Sequence, residues 1–199
     1  MVEQKLKFLA PTWNTIYLQS IDLATKLRKD PNWPFDVIVG VSRGGLALTR
    51  IMSDLLDVQN VMIARCEYYS DVGERKKRPV ITQKIQGNVK KKNVLLLDDV
   101  SDTGESLLEI KKYLDSKRPR SLTVATIHIK PWSKLIPDYY VSKTDAWIIY
   151  PWELYESIKS LTRKDGVSNL KKTGMPPRYV QKILEMDNSL KKRTNSRKL

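Results

Sequence analysis

The residues of this chain best suited to chemistry stand together in Asp98-Asp99-Val100-Ser101-Asp102-Thr103-Gly104-Glu105-Ser106. Two adjacent carboxylates suit vicinal hydroxyls or a hydrated Mg²⁺. The hydroxyls of Thr103 and Ser106 add donors for an anion, and Gly104 would let that anion approach the backbone without a Cβ in the way. The elements that must position these groups flank them. Val94-Leu95-Leu96-Leu97 has no alternating polar face, the pattern of a short strand buried on both sides of a parallel sheet. Leu107, Leu108, Ile110 and Leu114 follow at helical spacing. A loop between such a strand and such a helix presents unpaired N–H groups and partial positive charge, a ready phosphate site. Since α/β sheets place ligands at the carboxyl ends of their strands, the expected ligand is a sugar phosphate, with its diol on Asp98 and Asp99.

A second strand, loop and helix precede the first. Asp36-Val37-Ile38-Val39-Gly40-Val41 reads as a core strand, and Ser42-Arg43-Gly44-Gly45 turns into a helix carrying Leu46, Leu48, Ile51, Met52 and Leu55. The two glycines free the backbone to aim amide groups at an anion, and Arg43 supplies a charged donor.

The rest of the chain frames these two turns. Residues 1–35 form a lead-in with one amphipathic helix over 13–27, its stripe made by Ile16, Leu23 and Leu27, stopped by Pro31 and Pro34. Residues 61–68 read as a strand leading into a long polar loop, 69–92, with Gly73, Gly87 and the run Arg75-Lys76-Lys77-Arg78. Residues 122–129 make a fourth strand ending at Lys130-Pro131-Trp132, and 145–150 a fifth, followed by Pro151-Trp152-Glu153. The one histidine, His128, lies within a strand and reads as a packed or partly exposed side chain rather than a catalyst. Helices are expected over 154–161, near 168–172, and over 177–192, the last entered through Pro176-Pro177.

With 199 residues there is room for one substantial core and a small appendage. The single cysteine, Cys66, excludes an intrachain disulfide, and neither a membrane span nor a signal peptide is legible, so a soluble cytoplasmic protein with no membrane partner is expected. The net charge of +14 is local: residues 71–92 hold eight Lys/Arg against two Asp/Glu, and 154–199 hold twelve against four. The basicity therefore belongs to one loop and one tail, and a solvated basic face accounts for the tail.

An apolar strand followed by Asp-Asp, then Val-x-Asp-Thr-Gly-x-Ser, resembles the phosphoribosyl-pyrophosphate (PRPP) motif of type I phosphoribosyltransferases. Ser42-Arg43-Gly44-Gly45 is similar to the pyrophosphate loop of the purine enzymes, especially the bacterial xanthine-guanine type. The resemblance covers residues 36–153 and implies an α/β fold, with a mainly parallel five-stranded sheet flanked by helices. Residues 1–153 would form the core and 154–199 a basic helical extension. It implies PRPP and a purine base as substrates, purine salvage as the role, Mg²⁺ as cofactor, and a homodimer. Asp98, Asp99, Asp102, Thr103, Gly104, Glu105 and Ser106 would hold the ribose 5-phosphate, and Ser42, Arg43, Gly44 and Gly45 the pyrophosphate. Asp102 is implied as the general base near N7 of the purine. Lys130 would donate to the group at position 6, Trp147 stack on the base, backbone groups near Ile148 meet its pyrimidine edge, and Glu153 help Asp98 and Asp99 hold the metal or its water. The 69–92 loop would close over the site. An arginine that the bacterial enzymes place shortly after the Pro-Trp-acid stretch has no clear match here.

The base is open at this point. Lys130 can only donate, which argues for an oxopurine such as hypoxanthine, guanine or xanthine. An oxopurine-type core with a basic helical tail instead resembles archaeal enzymes that use adenine, and that likeness leans to adenine and AMP. A reading of another class is a PRPP-sensing regulator that binds nucleic acid. Against it, the 35 residues before the first strand are short for a winged-helix module, and the base-pocket residues would have no task.

Overall fold

The computed structural model describes residues 7–69, 78–165 and 167–196. It divides into two compact units, one of residues 16–145 and a smaller one that joins the chain up to Thr15 with the chain from Ala146 onward.

The larger unit is built on a six-stranded sheet. In chain order its elements are α1 (Trp13–Leu27, in this unit from Ile16), β2 (Val37–Ser42), α2 (Gly45–Leu55), β3 (Val61–Tyr69), β4 (Arg78–Gln83), β5 (Asn93–Ser101), α3 (Glu105–Asp115), β6 (Ser121–Ile129) and β7 (Tyr139–Lys143). The strand order is β4-β3-β2-β5-β6-β7, parallel throughout except for β4, which runs antiparallel to β3. Val37, Ile38 and Val39 of β2 and Val94 to Leu97 of β5 are fully buried, so the unbroken apolar runs are covered on both faces. Each such leucine contributes about 2 kcal/mol by leaving water. Leu107, Ile110 and Leu114 bring α3 onto one face of this core, beside Val39, Val94 and Leu96.

The sheet departs from the expected five strands in three places. Part of the segment expected to be one long loop, 69–92, is strand β4, with Tyr68 opposite Pro79 and Glu67 opposite Val80. Residues 70–77, which include most of the basic run, lie outside the described residues. An added edge strand, β7, pairs with β6; its Tyr-Tyr-Val-Ser-Lys sequence is too polar to announce a strand, as suits a sheet edge. The segment expected as a fifth core strand, 145–150, instead contributes the two-residue strand β8 to the smaller unit.

In the smaller unit β1 (Phe8–Leu9) and β8 (Trp147–Ile148) pair in parallel, Phe8 opposite Trp147 and Leu9 opposite Ile148. Helix α4 (Leu154–Asp165), a 3₁₀ segment (Val167–Thr173) and α5 (Pro177–Ser196) follow. Ile149, Ile158, Leu161, Leu170 and Met175 form its core, with Phe8 and Ala10 packed against it. Tyr150 and Trp152 stack at 4.7 Å, and Trp13 meets Trp152 at 5.6 Å. Among the described residues no helix is long and apolar enough to cross a membrane.

Candidate functional site

Strands β2 and β5 are neighbours in parallel register, with Val37 opposite Val94 and Gly40 opposite Leu97, so their carboxyl ends emerge side by side. The two turns singled out in the sequence therefore meet. A Cβ on Gly44 would lie 2.5 Å from an Asp99 carboxylate oxygen, and one on Gly45 would lie 2.9 Å from the Leu97 carbonyl and 3.0 Å from Asp98 Oδ1. The Ser-Arg-Gly-Gly loop thus packs its glycines directly on the two acids. Asp99 is buried and Asp98 half-buried, and Asp98 Oδ1 accepts the Asp99 N–H at 2.9 Å. Arg43 is exposed on the same loop, whose Ser42–Arg43 peptide is cis.

The turn after β5 is held from outside by the loop after β6. Lys130 N–H donates to the Ser101 carbonyl and Lys134 N–H to the Thr103 carbonyl, while Ser101 Oγ donates to the Leu135 carbonyl at 2.8 Å. This explains Gly104 differently from the sequence. Its φ of +76° is left-handed, and its missing Cβ would point at Leu135 N, 2.5 Å away, and Ser133 Oγ. Glycine is needed there for backbone conformation and close packing on 133–135, and the Cβ direction is not the path of an anion. The donors that remain for an anion are the first-turn amides of α3 and the hydroxyls of Thr103 and Ser106.

Asp102 is exposed, and its Oδ1 accepts the Trp132 indole N–H at 3.0 Å. The N-cap position of α3 is Gly104, so Asp102 does not serve as its N-cap. Thr103 Oγ1 accepts the Glu105 N–H at 3.3 Å and lies 3.0 Å from the Tyr68 hydroxyl. Glu105 Oε1 accepts from Lys134 Nζ at 2.5 Å, and that hydrogen bond holds its carboxyl below the usual carboxylate range. Ser106 lies beside the Cys66 thiol, whose pKa is raised, chiefly by burial.

Lys130 is buried at the carboxyl end of β6, and burial lowers its pKa, opposed by the charges of Asp102 and Asp145. Its Nζ stands 5.6 Å from the centre of the Trp132 ring. His128, two residues earlier, is buried as expected, and burial together with the Lys130 charge takes its pKa down to about 4.

The remaining expected residues belong to the smaller unit. Trp147 is 55% exposed on β8 and so is not a core residue. Trp147 N–H donates to the Lys7 carbonyl just before β1 and Ile149 N–H to that of Leu9, and strand alternation turns the N–H and C=O of Ile148 to the opposite edge. Glu153 opens α4, its carbonyl accepting the Ser157 N–H. Among the described residues no group of three or more His, Cys, Asp or Glu side chains gathers as a metal cage. Asp98 and Asp99 form a carboxylate pair of the kind that would hold Mg²⁺, which would complete its shell with water and substrate oxygens.

The sequence alone marks no role for Trp132, Lys134 or Tyr68. Trp132 stands two residues after Lys130, and Tyr68 alternates with Cys66 on one face of β3, the one signal in the sequence that marks it.

Comparison with known proteins agrees with this geometry. The family model described as phosphoribosyl transferase domain matches residues 12–157. The xanthine-guanine phosphoribosyltransferase of Cereibacter sphaeroides (strain ATCC 17025 / ATH 2.4.3) is 27% identical over 149 residues, 72% of this chain and 85% of its own. That of Desulfotalea psychrophila (strain LSv54 / DSM 12343) is 26% identical over 155 residues, 77% of this chain and 91% of its own. The crystal structure of a purine phosphoribosyltransferase from Pyrococcus horikoshii Ot3 is 35% identical, with a TM-score of 0.67 over 74% of this chain and 94% of that one.

Proposed function

The chain belongs to the phosphoribosyltransferase family, in its type I purine branch, and on that premise we propose that it transfers the 5-phosphoribosyl group of PRPP to a 6-oxopurine and releases pyrophosphate. The observation that carries this reading is the contact of the two turns, Gly44 on Asp99 and Gly45 on Asp98. It supports a single ligand that presents a diphosphate to one loop and a diol to the acids of the next strand.

In this reading the 5-phosphate lies on the 102–106 turn, the ribose hydroxyls on Asp98 and Asp99, and the pyrophosphate on residues 42–45. When bound, Mg²⁺ at the Asp98 and Asp99 carboxylates supplies positive charge to the diphosphate. The bond from the anomeric carbon to the diphosphate oxygen breaks, and a bond to a purine ring nitrogen forms. Charge gathers on the leaving diphosphate, so Arg43 and the amides of its loop act by electrostatic stabilisation. Asp102, oriented by Trp132, is the proposed acceptor of the proton lost by the base.

Two observations favour an oxopurine over the adenine to which the tail pointed. Lys130 presents donors to whatever reaches the end of β6, and an oxopurine offers an acceptor at position 6 where adenine offers a donor. The relatives from Cereibacter and Desulfotalea are named for xanthine and guanine. In the smaller unit we assign base stacking to Trp147, backbone pairing to Ile148, and support of the metal's water to Glu153.

The test is incubation with PRPP, Mg²⁺ and each purine in turn, reading which nucleotide forms. Products with guanine, xanthine or hypoxanthine are expected. Product with adenine alone would overturn the choice of base, and no product with any base, together with salt-sensitive nucleic-acid binding, would favour the regulator.

A further inference from the structure

Strand β3 reaches the phosphate turn with two side chains. Alternation along β3 puts Cys66 and Tyr68 on one face and Arg65 and Glu67 on the other. The contacts follow that division: Arg65 Nη2 donates to Glu67 Oε1 at 2.6 Å, whereas Cys66 meets Ser106 and Tyr68 meets Thr103. The two hydroxyl residues of the turn are thus each backed by a polar atom from one strand. Tyr68 is itself fixed by the ladder, opposite Pro79 of β4. The Glu105 carboxylate beside it is held by Lys134.

A carboxylate in the first turn of α3 would repel a phosphate at the same helix end. Paired with the Lys134 ammonium, it is charge-balanced and held. Thr103, a side chain with several open rotamers, is gripped at Oγ1 by Tyr68 and by the Glu105 N–H, and at its carbonyl by the Lys134 N–H. Ordering a binding group in advance removes a cost that the ligand would otherwise meet on arrival.

We propose that Tyr68 is a positioning residue of the 5-phosphate site: acting through Thr103, and with Lys134 on Glu105, it sets the turn's hydroxyl for the phosphate. This rests on the phosphoribosyl-transfer reading above. Tyr68 does not touch the reacting atoms, so its effect belongs to binding and not to the chemical step.

The test uses the full chain with Tyr68→Phe, which keeps the ring, Thr103→Val, and the double variant. Tyr68→Phe is expected to raise the KM for PRPP about threefold to tenfold, the range of one hydrogen bond, with kcat within about twofold. Affinity for ribose 5-phosphate should fall by the same factor and affinity for unphosphorylated nucleoside should hold. In the Thr103→Val background Tyr68→Phe should have no further effect. An unchanged or lowered KM, a parallel loss of nucleoside affinity, or penalties that multiply in the double variant would each overturn the proposal. If the wild-type chain makes no nucleotide, the reaction reading fails while the ribose 5-phosphate comparison still decides the role of Tyr68.

Discussion

The two turns at the carboxyl ends of β2 and β5 are built from the same parts, strand, glycine loop and helix, yet they keep their glycines for opposite reasons. Gly44 has ordinary right-handed angles, φ −53° and ψ −49°, and a Cβ there would collide with the Asp99 carboxylate. Gly104 has φ +76°, and a Cβ there would collide with the Leu135 backbone. The first turn faces functional groups, and the second backs onto the scaffold. A glycine in a phosphate loop is therefore not by itself a mark of ligand approach. What distinguishes the two is the neighbour in the missing Cβ direction, which no local pattern encodes.

The largest effects should separate the turns by chemistry. Asp102→Asn keeps an oxygen for the Trp132 indole and so keeps the local structure. If Asp102 takes the proton of the base, kcat should fall on the order of a hundredfold or more with the KM for PRPP little changed. Unchanged turnover would remove Asp102 from the proton chemistry and leave the second turn a binding device only. Arg43→Met should lower kcat/KM by about a hundredfold, close to 3 kcal/mol of lost stabilisation of the leaving group. A loss confined to KM would mean that the first turn merely binds.

The next effect tests the glycines. Gly104→Ala places an L side chain in left-handed backbone and against Leu135, so it should lower the free energy of unfolding by about 2–3 kcal/mol in urea titration. Gly44→Ala has no backbone strain but displaces the Asp99 carboxylate that lines the site, so it should cost less stability than Gly104→Ala and weaken PRPP binding. Equal stability losses in the two variants would erase the contrast between the turns.

How much of this was legible in the sequence follows the same division. The strands at 37–42 and 93–101 and the turns after them were readable because an unbroken apolar run ending in acids or in Ser-Arg-Gly-Gly is a local signal. Trp132, Lys134 and Tyr68 were not assigned, because their partners Asp102, Glu105 and Thr103 lie some 30 residues away and only the sheet order brings them together. Strand β7 was missed for a related reason, since a polar edge strand carries too few apolar positions to form a pattern, and the strand expected over 145–150 shrinks to the two residues of β8. Tertiary pairing decided what propensity could not.

The smallest effect concerns acid, and it should fall on the second turn alone. His128 is the only histidine of the chain, and it pairs with Val100, midway between the acids of β5 and the 102–106 turn. Burial, aided by the Lys130 charge, holds its folded pKa at about 4, below the unfolded value of 6.5. A depressed histidine pKa means that the unfolded chain binds the extra proton first. Stability from this source is therefore complete above pH 6.5 and declines as pH falls toward 4. At pH 5 the loss should be about 2 kcal/mol relative to pH 8, read as a lower urea midpoint. His128→Gln should flatten that slope whatever it does to stability at neutral pH. Because β5 and β6 share the ladder, amide protection factors, corrected for the slower intrinsic exchange in acid, should fall in residues 98–106 before they fall in 42–45. Simultaneous opening of both turns would mean that the sheet yields as one body and that the contrast drawn here does not extend to stability.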